Sequence, residues 1–421
     1  MPLGPAMRAP LQKTAPGKAE GERGRRRVAI LGATGSIGTN AIDVCRHMAG
    51  RFEVHSLTAV TSWKKLAEQA LECRPKMVAL NDKSTLAKPS DNLRALKDHL
   101  LGTGIELITG PRAMEEIVTR AEVDTVVAAV VGAAGLPPVI AAAKAGKTIA
   151  LANKEALVMA GSIVMPTASK HGATIVPVDS EHSAVFQSLR SGKAGEIRKI
   201  ILTASGGPFR TWSKDKIANA TVAEALAHPN WKMGPKITID SATMMNKALE
   251  IIEAHWLFGL PAEKIEVLIH PQSIVHSMVE FVDGSIIAQL GTPDMRTPIQ
   301  YALTHPERYD GCSTRLEWSK IREMNFEVPD ERFPALQLGF EVGRLGGTSG
   351  AGVNGANEVA NEMFRAGELR FGQIVEKVEG VLRRHKKSGF VARPTLEELL
   401  AADQWARREA KAMMRVKNPL D

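Results

Sequence analysis

The sequence predicts an α/β protein with a parallel sheet, a second α/β region and a C-terminal bundle of helices. Three observations lead to this prediction. Over 27–179, short apolar runs alternate with amphipathic stretches, which is typical of βαβ units on a parallel sheet. Over 180–304, a second set of strand-like runs carries the densest glycine and polar motifs. Over 332–421, after a polar linker at 305–331 that contains proline, the apolar pattern is helical.

Residues 1–26 form a basic tail that we expect to be disordered. Residues 1–27 hold seven Lys or Arg against two Glu, so most of the formal net charge of +8 lies there and not on the folded part. The tail is rich in Pro and Gly and can bury little surface. It lacks the apolar segment of a secretory signal, and a transit peptide is the less favoured alternative.

The composition disfavours several classes of protein. No apolar run reaches the roughly 18–20 residues that cross a bilayer, so we expect no membrane association. The mildly basic folded part and an aromatic content of 5% disfavour nucleic-acid binding. The three cysteines form no CxxC pair, which disfavours a disulfide framework or a zinc–thiolate site and fits a cytoplasmic location.

The strands and helices are predicted from apolar periodicity and turn residues. Strands of the first domain are expected at 27–31, 54–59, 77–80, 106–108, 125–130, 148–151 and 174–178. Helices between them include 40–48, 63–73, 113–120 and 139–145. The second region is predicted to hold a helix at 241–256, with Ser241 as its N-cap, and strands at 199–203, 264–268, 277–281 and 285–289. Asp283-Gly284 is a hairpin turn signal between the last two strands. The C-terminal helices are expected at 333–345, 355–366, 371–386 and 395–414.

A glycine turn follows the first predicted strand. The segment Gly32-Ala-Thr34-Gly35-Ser36-Ile37-Gly38 connects that strand to the start of a helix. Glycines let the backbone approach a pyrophosphate, and free N–H groups at a helix N-terminus bind the anion. The spacing is GxxGxxG, and many turns carry glycine without a ligand. Its position after the first strand of a βαβ series predicts a Rossmann-like dinucleotide-binding domain.

The end of the second predicted strand indicates which dinucleotide binds. NAD enzymes usually place Asp or Glu there, to bind the ribose hydroxyls. This chain has no acid there, but it has Thr61, Ser62, Lys64 and Lys65. These residues favour a 2′-phosphate and therefore NADP. The alternative is that both lysines lie on a solvated helix face.

Two polar motifs follow predicted strands of the parallel sheet. One contains Asn153, Lys154 and Glu155, and the other contains Asp179, Ser180, Glu181 and His182. Ligands of such sheets bind beyond the carboxyl ends of the strands. In an extended segment Asp179 and Glu181 would face one side and converge on Mg²⁺ or Mn²⁺. A third ligand is expected from the helix at 241–256, where Asn246 and Glu250 share one face. Taken alone, a D-x-E pair is more often a solvated loop.

Two further segments suit an anionic substrate. Thr203-Ala-Ser205-Gly206-Gly207 places a hydroxyl and exposed amides after a strand, which favours an anion-binding nest. The segment 228–235, His-Pro-Asn-Trp231-Lys-Met-Gly-Pro, is bracketed by helix breakers. It is predicted to be a mobile loop whose indole covers a ligand. The alternative is that Trp231 anchors the core.

These motifs together resemble one family, the 1-deoxy-D-xylulose 5-phosphate reductoisomerases. The resemblance covers 27–421 and rests on eight motifs in order. They are GATGSIG at 32–38, LANKEALV at 151–158, PVDSEHSAVFQ at 177–187, LTASGGPF at 202–209, HPNWKMG at 228–234, IDSATMMNKALE at 239–250, HPQSIVHS at 270–277 and LGTPDMRTPIQYAL at 290–303.

The resemblance implies roles for individual residues. Metal ligands would be Asp179, Glu181 and Glu250. Substrate contacts would be Lys154, Ser180, Glu181, Ser205, His228, Trp231, Ser241, Asn246, Lys247 and Glu250, of which Lys154, Glu181, His228 and Glu250 are the expected catalytic groups. Cofactor contacts would be Gly32, Thr34, Gly35, Ser36, Ile37, Ser62, Asn153, Glu155 and Gly234. Residues 224–235 would form a flap over the site.

The family's activity is then the expected function. The resemblance implies that 1-deoxy-D-xylulose 5-phosphate, a small sugar phosphate, is rearranged and reduced by NADPH with Mn²⁺ or Mg²⁺, or Co²⁺, in a homodimer. One departure concerns the cofactor: relatives often have Gly-Lys/Arg-Asn where this chain has Val60-Thr61-Ser62, so Ser62 and Lys64 are expected to take over the contact. Two alternatives stay open, a metal-independent NADP dehydrogenase and a non-catalytic NADP-binding regulator.

Overall fold

The computed structural model describes residues 24–81, 89–231 and 233–415. Most of the predicted tail lies outside these residues, as does Lys232 of the predicted flap. Of the residues assigned to the tail, Arg26 instead begins the first strand. Within the described residues, no helix is both long enough and apolar enough to cross a membrane.

The N-terminal region is built on a seven-stranded sheet whose strands all run parallel, in the order β4-β3-β2-β1-β5-β6-β7. The strands are β1 Arg26–Leu31, β2 Phe52–Ala59, β3 Met77–Leu80, β4 Glu106–Thr109, β5 Thr125–Ala128, β6 Thr148–Leu151 and β7 Thr174–Pro177. The order reverses between β1 and β5, so the ligand crevice lies beyond the carboxyl ends of these two strands. The predicted Rossmann-like fold is confirmed.

Helices connect these strands and cover both faces of the sheet. They are α1 Ser36–His47, α2 Trp63–Cys73, α3 Asp91–His99, α4 Ala113–Thr119, α5 Leu136–Lys144 and α6 Lys154–His171. Every residue of β3 and β5 is buried, as expected for parallel strands between two helical layers. The sequence had indicated helices between most of the strands, without giving bounds for α3 and α6.

The second region contains a four-stranded sheet, in the order β11-β10-β8-β9. Its strands are β8 Ile197–Ala204, β9 Ile265–Ile269, β10 Val275–Phe281 and β11 Ile286–Leu290. Its helices are α7 Ser180–Ser188, α8 Lys214–Ala218, α9 Val222–Ala225, α10 Pro235–Ala242, α11 Met245–Phe258 and α12 Arg296–Thr304. Strands β10 and β11 form the predicted hairpin, with Gly284 in its turn at φ 86°.

The predicted start of the helix at 241–256 was wrong. The structure has two helices there, α10 and α11, separated by Thr243 and Met244. Met244 adopts a left-handed φ of 59°, which an L side chain rarely takes, so the apolar pattern did not signal the break. Ser241 therefore lies in the last turn of α10 and is not an N-cap.

Four helices complete the C-terminal part, α13 Ala335–Leu345, α14 Ser349–Arg365, α15 Gln373–Ser388 and α16 Leu396–Arg415. Helix α14 begins six residues before its predicted start at 355. Its first turns are rich in glycine, which disfavours a helix, and the sequence therefore did not indicate them. A Cβ at Gly350 would lie 2.0 Å from the Val158 carbonyl oxygen of α6, so this glycine permits close packing between the two helices. The domain boundaries at 179, 304 and 331 stay predictions.

Candidate active site

One cavity of about 170 Å³ lies between the carboxyl edge of the parallel sheet and the second sheet. It brings together most of the predicted site residues, namely Ser36, Ile37, Lys154, Asp179, Ser180, Glu181, Ser205, His228, Trp231, Gly234, Ser241, Asn246, Lys247 and Glu250. Gly32, Thr34, Gly35, Ser62, Asn153 and Glu155 do not line it. The motif HPQSIVHS at 270–277 contributes Ser273 and His276, to which the sequence assigned no role.

Three carboxylates converge in this cavity. Oxygens of Asp179, Glu181 and Glu250 lie within 4.8 Å of one another. The expectation of an extended D-x-E segment was wrong: Asp179 is the N-cap of α7 and accepts a hydrogen bond from the Glu181 amide at 3.3 Å. The two side chains still meet, because an N-cap and the first helical turn lie side by side.

Two lysines balance part of this charge. Lys154 Nζ lies 2.7 Å from Asp179 Oδ2 and 2.8 Å from Glu250 Oε1. Lys247 Nζ lies 3.0 Å from Glu181 Oε1 and also contacts Glu250. Asn246 Nδ2 donates to Glu250 Oε1 at 2.6 Å, as expected for residues four apart on one helix.

The cluster retains a surplus of negative charge. Burial and the nearby carboxylates Glu250 and Asp179 raise the pKa of Glu181 to about 7, against the opposing effect of Lys247. Burial would also raise the pKa of Asp179, but Lys154 and His182 hold it well below its usual value. Three hard oxygen donors with this surplus fit a divalent cation of the Mg²⁺ or Mn²⁺ type.

A second layer of buried groups lies behind the carboxylates. The His182 ring donates through Nε2 to the Glu250 carbonyl oxygen at 3.0 Å, and its Nδ1 lies 3.4 Å from Asp179 and 3.5 Å from Glu253. Burial acts to lower the pKa of His182, but Glu253 and Asp179 raise it to about 9. Sequence reasoning missed Glu253, whose only signal was its position one helical turn after Glu250.

The opposite end of the cavity offers donors to an anion. Ser205 Oγ lies 3.1 Å from His228 Nε2 and accepts a hydrogen bond from the Gly207 amide at 3.2 Å. A Cβ at Gly207 would lie 2.8 Å from the Ser241 carbonyl oxygen, so the glycine turn and the end of α10 touch through their backbones. Ser205 and Ser241 therefore share one wall of the cavity.

The segment 224–235 covers this wall. His228 Nδ1 accepts hydrogen bonds from the amides of Asn230 at 3.2 Å and Trp231 at 3.0 Å, so His228 shapes the loop. Asn230 Nδ2 donates to the Pro271 carbonyl at 2.6 Å. Trp231 is half-buried, lines the cavity and belongs to neither hydrophobic core of the described residues, which argues against a core anchor.

The glycine turn lies at the other side of the cavity. Gly32 has a φ of 75°, and a Cβ there would lie 2.7 Å from the Ala129 carbonyl, so only glycine fits between β1 and the end of β5. Gly35 and Ser36 are exposed at the N-terminus of α1, and no side chain caps this helix. Lys65 Nζ donates to the Thr34 carbonyl at 2.8 Å and steadies the turn. The backbone amides of the first turn of α1, which begins at Ser36, fit a dinucleotide pyrophosphate.

Three of the six predicted cofactor residues that do not line the cavity lie away from the glycine turn. Ser62 is exposed just before α2. Asn153 and Glu155 are buried below the crevice, where Asn153 Nδ2 donates to the Val130 carbonyl at 2.6 Å and to Glu155 Oε2 at 3.0 Å.

The fold and the cavity together define a dinucleotide-dependent oxidoreductase with a substrate site suited to a divalent metal. Family models identify it further. The model for 1-deoxy-D-xylulose 5-phosphate reductoisomerase matches 28–161, that for its C-terminal domain matches 175–258, and that for the DXP reductoisomerase C-terminal domain matches 290–409. The chain belongs to the 1-deoxy-D-xylulose 5-phosphate reductoisomerase family.

Individual relatives agree with this assignment. The reductoisomerase of Cupriavidus pinatubonensis is 51% identical over 393 residues, which are 92% of this chain and 97% of the relative. That of Pelotomaculum thermopropionicum is 50% identical over 390 residues, with 92% and 98% covered. A reductoisomerase crystal structure in complex with NADPH, fosmidomycin and magnesium has a TM-score of 0.85 and 42% identity, covering 92% of this chain and 98% of that one. The Zymomonas mobilis enzyme in complex with NADPH has a TM-score of 0.85 and 44% identity, covering 93% and 100%.

Proposed function

We propose that this chain converts 1-deoxy-D-xylulose 5-phosphate to 2-C-methyl-D-erythritol 4-phosphate in non-mevalonate isoprenoid precursor biosynthesis. NADPH is the reductant, and a divalent metal is required. The observation that carries the proposal is that one cavity joins the N-terminus of α1 to a buried cluster of three carboxylates and two lysines. Family membership supports it over the dehydrogenase and regulator alternatives.

We assign the metal to Asp179, Glu181 and Glu250. When bound, such a metal polarises the ketone and a neighbouring hydroxyl of the substrate and stabilises the charge that develops during the carbon–carbon rearrangement. Lys154 lies beside these carboxylates and stabilises the same developing charge. The aldehyde that results accepts a hydride at carbon and a proton at oxygen, and NADPH becomes NADP⁺.

We assign the remaining substrate contacts to donors along the cavity. The phosphate would lie among Ser205, His228, Ser241, Asn246 and Lys247, where hydroxyl, imidazole, amide and amine groups converge. Ser180 would contact the carbon chain. Trp231 and the rest of the flap 224–235 would close over the substrate and exclude water.

The nicotinamide cofactor would bind along the carboxyl edge of the parallel sheet. When bound, it supplies the hydride. We assign its contacts to the turn and helix start of β1–α1, to the end of β6, and to the flap, namely Gly32, Thr34, Gly35, Ser36, Ile37, Asn153, Glu155 and Gly234. Ser62 and Lys64 would bind the 2′-phosphate. Asn153 and Glu155 reach the cofactor only if their buried side chains are exposed to the crevice when it binds.

A cytoplasmic homodimer completes the proposal. All three cysteines are free thiols, which suits a reducing compartment. Strand β11 is an unpaired edge of its sheet in the described chain and exposes Ile286 and Ile287, a surface suited to a second copy.

The proposed function is tested by following NADPH oxidation after addition of 1-deoxy-D-xylulose 5-phosphate, with Mn²⁺ or with EDTA. Oxidation that needs both the sugar phosphate and the metal supports the proposal. Oxidation that survives EDTA favours a metal-independent dehydrogenase. Folded protein that binds NADPH but stays inactive in both conditions favours a regulator.

A further inference from the structure

A buried polar network connects the three regions of the protein at the edge of the active site. Lys236, in the first turn of α10, lies 2.7 Å from Glu155 Oε1 at the start of α6 and 3.0 Å from Asp240 Oδ2. Asn357 and Asn361 of α14 donate to Asp240 Oδ1 at 3.0 and 2.9 Å. We call these five residues the Lys236 network.

The location of Lys236 is unfavourable unless its partners are in place. The N-terminus of a helix carries partial positive charge, which repels a cation. Burial acts to lower the pKa of Lys236, but Asp240 and Glu155 outweigh it and raise that pKa. The pKa of Glu155 is lowered in turn, because Lys236 outweighs the effect of burial. Well-packed apolar residues often stabilise a fold as much as a buried ion pair does, so this pair is better explained by the geometry it imposes than by stability alone.

One end of the network adjoins the crevice of the parallel sheet, and the other end adjoins residues that line the cavity. Glu155 Oε2 accepts a hydrogen bond from Asn153 Nδ2, which also donates to the carbonyl oxygens of Val130 and Gly132 in the loop after β5. Gly234, two residues before Lys236, and Ser241, next to Asp240, both line the cavity. One lysine therefore ties the C-terminal end of the flap to the crevice of the parallel sheet.

Helix α14 contacts both sides of this connection between the flap and the crevice. Asn361 Nδ2 also donates to the Lys236 carbonyl oxygen at 2.9 Å. Glu358 of the same helix faces Gly132, since a Cβ on that glycine would lie 2.9 Å from Glu358 Oε1. The C-terminal helices thus contact both the flap end and the loop after β5.

We infer that Lys236 is a positioning residue that holds the C-terminal end of the flap against the cofactor crevice, with α14 as its support. It touches neither the sugar phosphate nor the reacting atoms and acts through Glu155 and Asn153. The C-terminal helices then contribute to catalysis by setting the distance between the cofactor and the flap. This inference rests on the proposed function for the identity of its ligand.

The test compares Lys236→Met with Lys236→Arg in the full chain. The affinity of each variant for NADPH is measured directly, from the change in NADPH fluorescence on binding. Lys236→Met should weaken NADPH binding about tenfold and lower kcat, while the KM for the sugar phosphate changes much less. Lys236→Arg keeps the charge and should restore most of the affinity. Asn361→Ala should shift NADPH binding in the same direction by a smaller factor.

A matched control is Lys264→Met, which removes a half-buried lysine bonded to the Ile197 carbonyl at 3.0 Å, away from the cavity. It should leave NADPH binding unchanged. Wild-type affinity in Lys236→Met overturns the inference, and so does equal weakening in Lys264→Met. If Lys236→Met does not fold, unchanged binding in Asn361→Ala overturns it. Failure of the proposed function is seen separately, as a wild-type chain that binds NADPH but does not oxidise it.

Discussion

Lys154 Nζ lies 2.8 Å from Glu250 Oε1, although the two residues are 96 positions apart in the chain. Lys154 begins the helix that follows β6, and Glu250 lies on α11 of the second region. The contact therefore joins the parallel sheet to the helix that supplies the third carboxylate. The charge pairing of Lys154 with both carboxylates holds Glu250, which is 1% exposed, close to Asp179.

Glu250→Gln removes one charge from the carboxylate cluster. Binding of Mn²⁺ should weaken, and kcat should fall at least about 100-fold, because the amide is a poorer ligand for a hard cation. Metal titration of activity checks this. Glu266→Gln alters a half-buried carboxylate on β9 and should leave both values unchanged. Near-normal turnover in Glu250→Gln would contradict the metal assignment.

Lys64→Ala tests whether Lys64 binds the 2′-phosphate of NADPH in place of the basic residue that relatives often have nearby. The KM for NADPH should rise about tenfold, as expected for loss of a charge-assisted bond to phosphate, while the KM for NADH stays the same. Steady-state kinetics with both cofactors measure the difference. Lys97→Ala is a control on the exposed surface of α3. An equal rise for NADPH and NADH would show that Lys64 does not contact the 2′-phosphate.

Trp231→Ala tests the flap. The KM for the sugar phosphate should rise about tenfold and kcat should fall, because an apolar cover over the site is lost. Trp231→Phe should retain most of the activity. Trp318→Ala serves as the control. Trp318 is 64% exposed on the linker, so its replacement should leave KM and kcat unchanged. Unchanged kinetics in Trp231→Ala would remove this residue from the substrate site.

Gly350→Ala tests the packing of α14 on α6. The added methyl group meets the Val158 carbonyl oxygen at 2.0 Å, so the free energy of unfolding should fall by about 1–3 kcal/mol. Chemical denaturation measures the change. Gly195→Ala is the matched control, because a Cβ there meets nothing within 4 Å. Equal stability of the two variants would contradict the close approach of the helices.

The sequence by itself determined the local features of this protein. Apolar periodicity located the strands of both sheets to within a few residues. This works because the burial of a strand depends on the polarity of consecutive residues, which the sequence shows directly. The order of the motifs identified the family, and the D-x-E and N-x-x-x-E spacings selected the three carboxylates that converge. Spacing was sufficient for Asn246 and Glu250, since residues four apart on a helix share a face.

Only the tertiary structure decided how these features meet. It ended α10 before Met244, because a single left-handed residue breaks a helix without disturbing the apolar pattern. It placed Asp179 at a helix N-cap, brought Glu253 behind His182, and joined Lys236 to Glu155 and Asp240. Such contacts link residues distant in sequence. A charge's partner depends on which side chains folding brings within a few ångströms, and no periodicity along the chain records that.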